Sequence, residues 1–168
     1  MSELVVWSGR HVEVRDRDGW EYAARVGDRM AAVVLALNDG HVLLVEQHRP
    51  PLDARCLELP AGLVGDEEAG EADEAAAARE LEEETGWRAG RLEPLGRFAS
   101  APGLASETFT LWRATELVRV GAGGGVAGED IAVHRVPLDG LAGFIAERRE
   151  AGVVIDARLL ALSVLGAM

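Results

Sequence analysis

Lysine is missing from this 168-residue chain: all 17 basic side chains other than histidine are arginine. That removes lysine as nucleophile, Schiff base or phosphate ligand and leaves anion recognition to guanidinium groups. Cysteine is reduced to Cys56, which cannot form an internal disulfide and fits a reducing compartment, so a cytoplasmic location is expected. Long apolar runs are lacking as well. The longest within the chain covers residues 30–37, far short of the ~20 residues a spanning helix needs. The opening residues, Met1 to Val5, contain no basic segment followed by an apolar stretch of the secretory kind. Positive charge is outweighed by 29 acidic residues, for a net charge of −12. Neither a membrane nor a nucleic acid is therefore expected as a partner. What is present is globular: 48% hydrophobic and 27% charged residues, enough to build a core.

The pattern along the chain mixes strands with a few helices. Residues 4–7, 11–14 and 20–22 alternate weakly, with a turn at Asp18-Gly19. Two apolar runs, residues 31–37 and 41–47, flank Asn38-Asp39-Gly40, a strong hairpin signal. A strand over residues 56–59 is expected to stop at Pro60-Ala61-Gly62. A helix follows, with Asp73 as its N-cap and Gly86 as its stop. Residues 107–117 and 131–136 read as strands, separated by a glycine-rich loop, Gly121 to Gly128, that has no pattern of its own. Leu141, Phe144 and Ile145 keep helical spacing, as do Leu159, Leu160, Val164 and Leu165 after a possible Asp156 cap. No repeat or linker divides the chain, so one α/β domain spanning residues 1–168 is expected, with helices on both faces of a mixed sheet.

The chemistry is concentrated between Gly65 and Trp87. Glu80, Glu83 and Glu84 stand three and four residues apart on the expected helix, so their carboxylates share a face. Glutamates in a last helical turn oppose the macrodipole and repel one another. A bound divalent cation reverses that argument, because clustered carboxylate oxygens suit Mg²⁺ or Mn²⁺. The bland alternative is a solvated acidic face, the usual fate of a glutamate run.

A longer match weighs against the bland alternative. The stretch resembles the signature of the Nudix hydrolases, Gly-x5-Glu-x7-Arg-Glu-U-x-Glu-Glu-x-Gly-U with U bulky and apolar. Gly65, Glu71, Arg79, Glu80, Leu81, Glu83, Glu84, Gly86 and Trp87 fill its nine positions, and a chance match at these residue frequencies is about 10⁻⁵. The box glycine is Gly65 by count; Gly62, directly after Pro60-Ala61, is the alternative, with three extra residues in the loop. The resemblance implies a Nudix fold, an α/β/α sandwich with a mixed central sheet. It also implies metal-dependent hydrolysis of a nucleoside diphosphate linked to another moiety. Glu80, Glu83, Glu84 and the carbonyl of Ala61 would be the metal ligands, and Arg79 would pair with Glu71 or another box carboxylate.

Outside the box, the chain from about residue 30 resembles the ADP-ribose pyrophosphatase branch. The similarity lies in residues 43–50 (LLVEQHRP), 58–62 (ELPAG), Ser106-Glu107 and Glu129-Asp130-Ile131. Pro102, sixteen residues after Gly86, matches the spacing associated with ADP-ribose. This likeness implies ADP-ribose cleavage to AMP and ribose 5-phosphate, with GDP-mannose, another nucleotide sugar or NADH as alternatives. A non-catalytic nucleotide-sugar sensor on the same fold is the reading from another class. The implied roles are catalytic for Glu83, Arg79 and Glu129, with Glu107 or Asp130 as alternative bases, and substrate-binding for Arg49, Pro102 and Glu107. The branch also implies a homodimer in which N-terminal strands, about residues 1–28, form a small antiparallel sheet exchanged between subunits, beside a core of residues 29–168.

Overall fold

A computed structural model describes residues 2–66, 70–126, 128–160 and 162. Three antiparallel strands open the chain: β1 (Glu3–Ser8), β2 (Val12–Arg17) and β3 (Trp20–Arg25). They form a separate small sheet, in the order expected of three short strands joined by tight turns. The main sheet is built on β4 (Ala31–Asn38) and β5 (His41–Arg49). Asp39 and Gly40, with φ of 47° and 71°, form the two-residue turn between them.

Only the turn-proximal ends of β4 and β5 pair with each other. Beyond that point the two strands part and each acquires other neighbours. Strand β4 takes β10 (Thr108–Thr115) in parallel and β7 (Ala61–Leu63) antiparallel. Strand β5 takes β6 (Ala54–Glu58) and β12 (Ala132–Pro137), both antiparallel. Strand β9 (Arg91–Ala99) closes one edge on β10, and β13 (Val154–Ile155) lies parallel to β6 at the other. A two-stranded ribbon, β8 (Trp87–Arg88) with β11 (Val118–Arg119), completes the strands.

Residues 32–36 and 42–45 are buried without interruption, the pattern of strands covered on both faces. On one face, Ala76, Ala77 and Leu81 of helix α1 (Asp73–Thr85) pack on Val34, Ala36, Leu43 and Trp112. On the other, Val33, Leu35, Leu44, Leu57 and Leu111 meet Leu141, Leu159 and Leu162, flanked by Phe144 and Ile145 of helix α2 (Leu141–Glu150). This is the expected layered α/β arrangement. Burying each of those leucines contributes ~1.5–3 kcal/mol; on α1 the apolar stripe is Ala76, Ala77 and Leu81.

Three local readings are corrected. The N-cap of α1 is Ala72; Asp73 is the first helical residue and sits with Glu74 in the first turn, where negative charge suits the dipole. Strand β6 stops at Glu58, just before Pro60, but Ala61 and Gly62 do not prolong the stop: the chain re-enters the sheet at once as β7, and the Pro60 carbonyl accepts a hydrogen bond from the Val34 N–H at 2.8 Å. Strand β9, unforeseen, contains Pro94 and Gly96. It tolerates both because it is an edge strand and because a bulge skips Leu95 between Gly96, opposite Leu111, and Pro94, opposite Trp112. After Asp156, a 3-10 turn (Ala157–Leu160) begins, capped by the Asp156 carboxylate on the Arg158 N–H at 2.8 Å. Val164 and Leu165 lie outside the described residues.

Candidate active site

Strand β7 lies against β4 and under α1, which brings the end of the Pro60 segment beneath the helix's glutamates. At Gly62 a methyl group would overlap the Glu80 carboxylate, so the absence of a side chain lets that carboxylate rest on the strand. One turn further along α1, Glu84 Oε2 accepts the Ala61 N–H at 3.0 Å. Gly65, with φ of 74°, turns its N–H onto Glu71 Oε2 at 3.0 Å. Each of the two candidate box glycines therefore serves one box glutamate.

Arg79 ties these pieces together. Its Nε donates to Glu71 Oε1 at 2.9 Å, and Nη1 donates to Glu80 Oε1 at 2.8 Å and Glu83 Oε2 at 3.1 Å. The guanidinium beside Glu71 holds that carboxyl below its ordinary range. Glu80 and Glu84 shift the opposite way, because burial penalises their charged forms: Glu80 is raised and Glu84 is pushed up to about 8.

The C-terminal end of α1 carries its own support. Gly124 N–H donates to the Glu84 carbonyl at 2.8 Å and Gly125 N–H to the Glu83 carbonyl at 3.0 Å. Val120 and Gly121 N–H groups both reach the Gly86 carbonyl. The glycine-rich loop thus docks on the helix, supplying donors where the macrodipole is negative. Gly123 (φ 71°) and Gly125 (φ 80°) sit where side chains would strike Thr85 and Glu129 respectively. At the end of the docked segment, Glu129 Oε2 accepts the Val126 N–H at 2.9 Å.

These elements wall a cleft of about 660 Å³ that Ala61, Glu80, Glu84, Glu107, Glu129 and Arg49 all line. Glu107 is paired there with Arg25 at 2.5 Å. Arg49 grips the buried Glu58 with two hydrogen bonds, 2.6 and 2.7 Å, and the Glu58 carboxylate raises the guanidinium's pKa further. Arg79 and Glu83 stand behind this wall, joined to it through Glu80. Asp130 turns away to Arg55, 3.0 Å distant. Pro102 lies elsewhere, in a pocket of about 240 Å³ with Trp20 and Tyr22 of the N-terminal sheet. Cys56 also faces the cleft, but burial pushes its thiol up to about 12, so it is not a nucleophile at neutral pH. Sequence reasoning missed Arg25, Glu58, Asp156 and Arg158 as cleft residues. Glu58 stands in the 58–62 stretch and Asp156 as a possible helix cap, neither with a site role, while Arg25 and Arg158 belong to no spaced motif; the sheet order brings the four together.

A divalent cation fits the donor set. All the candidate ligands are hard oxygens, and Glu84 is a buried carboxylate with a backbone N–H as its partner, which favours a cation beside it. As the side chains stand, no three acidic, histidine or cysteine groups among the described residues are gathered closely enough to hold a metal; Arg79 draws Glu80 and Glu83 to itself.

The layered fold and this acidic cleft define a class before any comparison is made: an α/β domain with a helix-borne carboxylate site. A model of the NUDIX domain family matches residues 27–147, and the chain belongs to that family. The methanol dehydrogenase activator of Bacillus methanolicus is 35% identical over 119 residues, 70% of this chain and 63% of that protein. The ADP-ribose pyrophosphatase of Bacillus subtilis is 43% identical over 88 residues, 52% of this chain and 46% of that one. The chain therefore spans less than two thirds of the length of these relatives. Among solved structures, one described as an ADP compounds hydrolase superposes with a TM-score of 0.67 at 23% identity, covering 85% of this chain and 81% of its own. That likeness supports the fold. Among the described residues no helix is long and apolar enough to cross a membrane.

Proposed function

We propose that this chain hydrolyses the diphosphate bond of nucleoside diphosphate sugars with the help of a divalent cation, cleaving ADP-ribose to AMP and ribose 5-phosphate. The observation that carries the reading is a juxtaposition across one cleft: the carboxylates of Glu80 and Glu84 offer hard oxygens to a cation, and the Arg49 guanidinium suits an anion. The name of the Bacillus subtilis relative supports the choice of ADP-ribose.

In this reading Glu80, Glu83, Glu84 and the Ala61 carbonyl hold Mg²⁺, for which Mn²⁺ can substitute. When bound, the cation supplies charge neutralisation for the diphosphate and a lowered pKa for the attacking water. Arg79 holds Glu71, Glu80 and Glu83 in register, and Arg49 orients a phosphoryl group. Glu129 takes the proton of the attacking water, since it lines the cleft and Asp130 does not. Glu107 lines the same cleft and is the alternative base. Pro102, together with Trp20 and Tyr22, shapes a separate pocket for the remoter part of the substrate. The same reading makes the protein a homodimer through its N-terminal sheet. It also makes it cytoplasmic, in keeping with a lone buried thiol.

Glu80→Gln and Glu84→Gln test the assignment. Each is expected to lower kcat on the order of 10³-fold, with the circular dichroism spectrum unchanged. Full activity in both variants contradicts the ligand assignment. Preference for GDP-mannose or NADH keeps the chemistry and replaces the substrate; nucleotide binding without turnover in the wild type favours the sensor.

A further inference from the structure

Arg49 is not the only guanidinium on its wall of the cleft. Glu58, 2% exposed, is gripped from two ends of the chain. Arg49, at the end of β5, forks its carboxylate, and Arg158, in the turn after Asp156, donates from Nη2 to Oε2 at 3.1 Å. Arg158 Nε donates in turn to Asp156 Oδ2 at 2.6 Å. Its guanidinium also lies over the Phe109 ring, 6.0 Å from the centroid. Two carboxylates, Glu58 and Asp156, thus hold two arginines in fixed positions on one wall. These contacts occupy Nε and Nη2 of both arginines, and among the described residues the Nη1 groups have no hydrogen-bond partner. Both side chains line the cleft that also contains Glu80 and Glu84.

We infer that Arg158 is a second phosphate-holding residue: with Arg49 it forms a pair of fixed N–H donors for the two phosphoryl groups of a nucleoside diphosphate. Which nucleoside diphosphate derivative is bound rests on the function proposed above; the anion site itself does not. The physical basis is preorganisation. A guanidinium pinned by Glu58, Asp156 and an aromatic face gives up little side-chain freedom when an anion arrives. The two carboxylates balance the two arginines, so the wall offers directed donors without a large net field. Across the cleft from Glu80 and Glu84, this favours the anion on the Arg49–Arg158 wall.

The test is calorimetric titration of the full chain with ADP in the presence of Mg²⁺. Wild type is compared with Arg158→Gln, Arg158→Lys and, as a control on the surface away from the cleft, Arg88→Gln. Loss of one charge-assisted contact predicts ~10- to 100-fold weaker ADP binding for Arg158→Gln, partial recovery for Arg158→Lys and no change for Arg88→Gln. In parallel, KM for the hydrolysed substrate is expected to rise more than kcat falls. A purely structural Arg158 gives a different result, and one that overturns the inference: a lower melting temperature with ADP affinity equal to wild type. Absence of ADP binding to the wild type overturns it as well. Failure to release AMP from ADP-ribose, with ADP binding intact and sensitive to Arg158→Gln, sinks the substrate assignment and leaves this site standing.

Discussion

Of the two α1 carboxylates whose pKa burial raises, Glu84 is shifted further. Burial raises its pKa to about 8, so at neutral pH the folded protein without metal holds the Glu84 proton more tightly than the unfolded chain does. This group's contribution to stability is full below its ordinary value of 4.5 and is lost as pH rises through about 8. Glu84→Gln removes the titration and keeps an acceptor for the Ala61 N–H. In EDTA, the melting temperature of Glu84→Gln minus that of wild type is therefore expected to grow between pH 5 and pH 9. A difference that stays constant across that range contradicts the burial argument. Mg²⁺ acts in the opposite sense, since it favours the ionised carboxylate, and is expected to stabilise wild type more at pH 8.5 than at pH 6.

At the scale of elements, the docking of the glycine loop on α1 joins the helix that bears the candidate ligands to the segment that bears Glu129. Gly123 has a left-handed φ and no room for a side chain against Thr85, whereas Gly121 is not left-handed and its nearest contact is 3.9 Å away. From its left-handed φ alone Gly123→Ala is expected to cost ~1–2 kcal/mol, a drop of about 2–8 °C in melting temperature, and the clash with Thr85 adds to it. It should also lower kcat at least about tenfold by displacing Glu129, while Gly121→Ala leaves both near wild type. Equal behaviour of the two variants, measured by melting and steady-state kinetics, contradicts the docking role.

The same elements mark how far the sequence is legible. Helix α1 and its glutamate face follow from local spacing, and the β4–β5 hairpin follows from Asp39-Gly40. The function of Gly123–Gly125 is invisible along the chain, because it depends on carbonyls some forty residues upstream. Strand β9 is hidden by a proline and a glycine that an edge with a bulge accommodates. Arg158 joins the cleft only through the parallel β13–β6 pairing that brings Asp156 beside Leu57, whose carbonyl accepts the Asp156 N–H at 3.0 Å.

For the whole molecule, the N-terminal sheet stands out. Every residue of β1 is exposed, and Leu4, Val5, Val6 and Trp7 are each 56–65% exposed, so both faces of an apolar strand meet solvent. Trp20, at the start of β3, is exposed as well. A strand uncovered on both faces gains little from folding alone, and contiguous apolar surface of this kind marks an interface. Sedimentation equilibrium is expected to give a dimer for wild type and a monomer for the double variant Val5→Glu, Trp7→Glu. A wild-type monomer at tens of micromolar contradicts the exchanged-sheet expectation.

The central claim is tested most directly by chromatographic analysis of products. The protein is incubated with Mg²⁺ and, separately, with ADP-ribose, GDP-mannose, NADH and ATP, alongside an EDTA control. AMP and ribose 5-phosphate are expected to appear fastest from ADP-ribose, and EDTA is expected to abolish their formation. Cleavage that persists in EDTA, or no cleavage of any of the four, contradicts the claim.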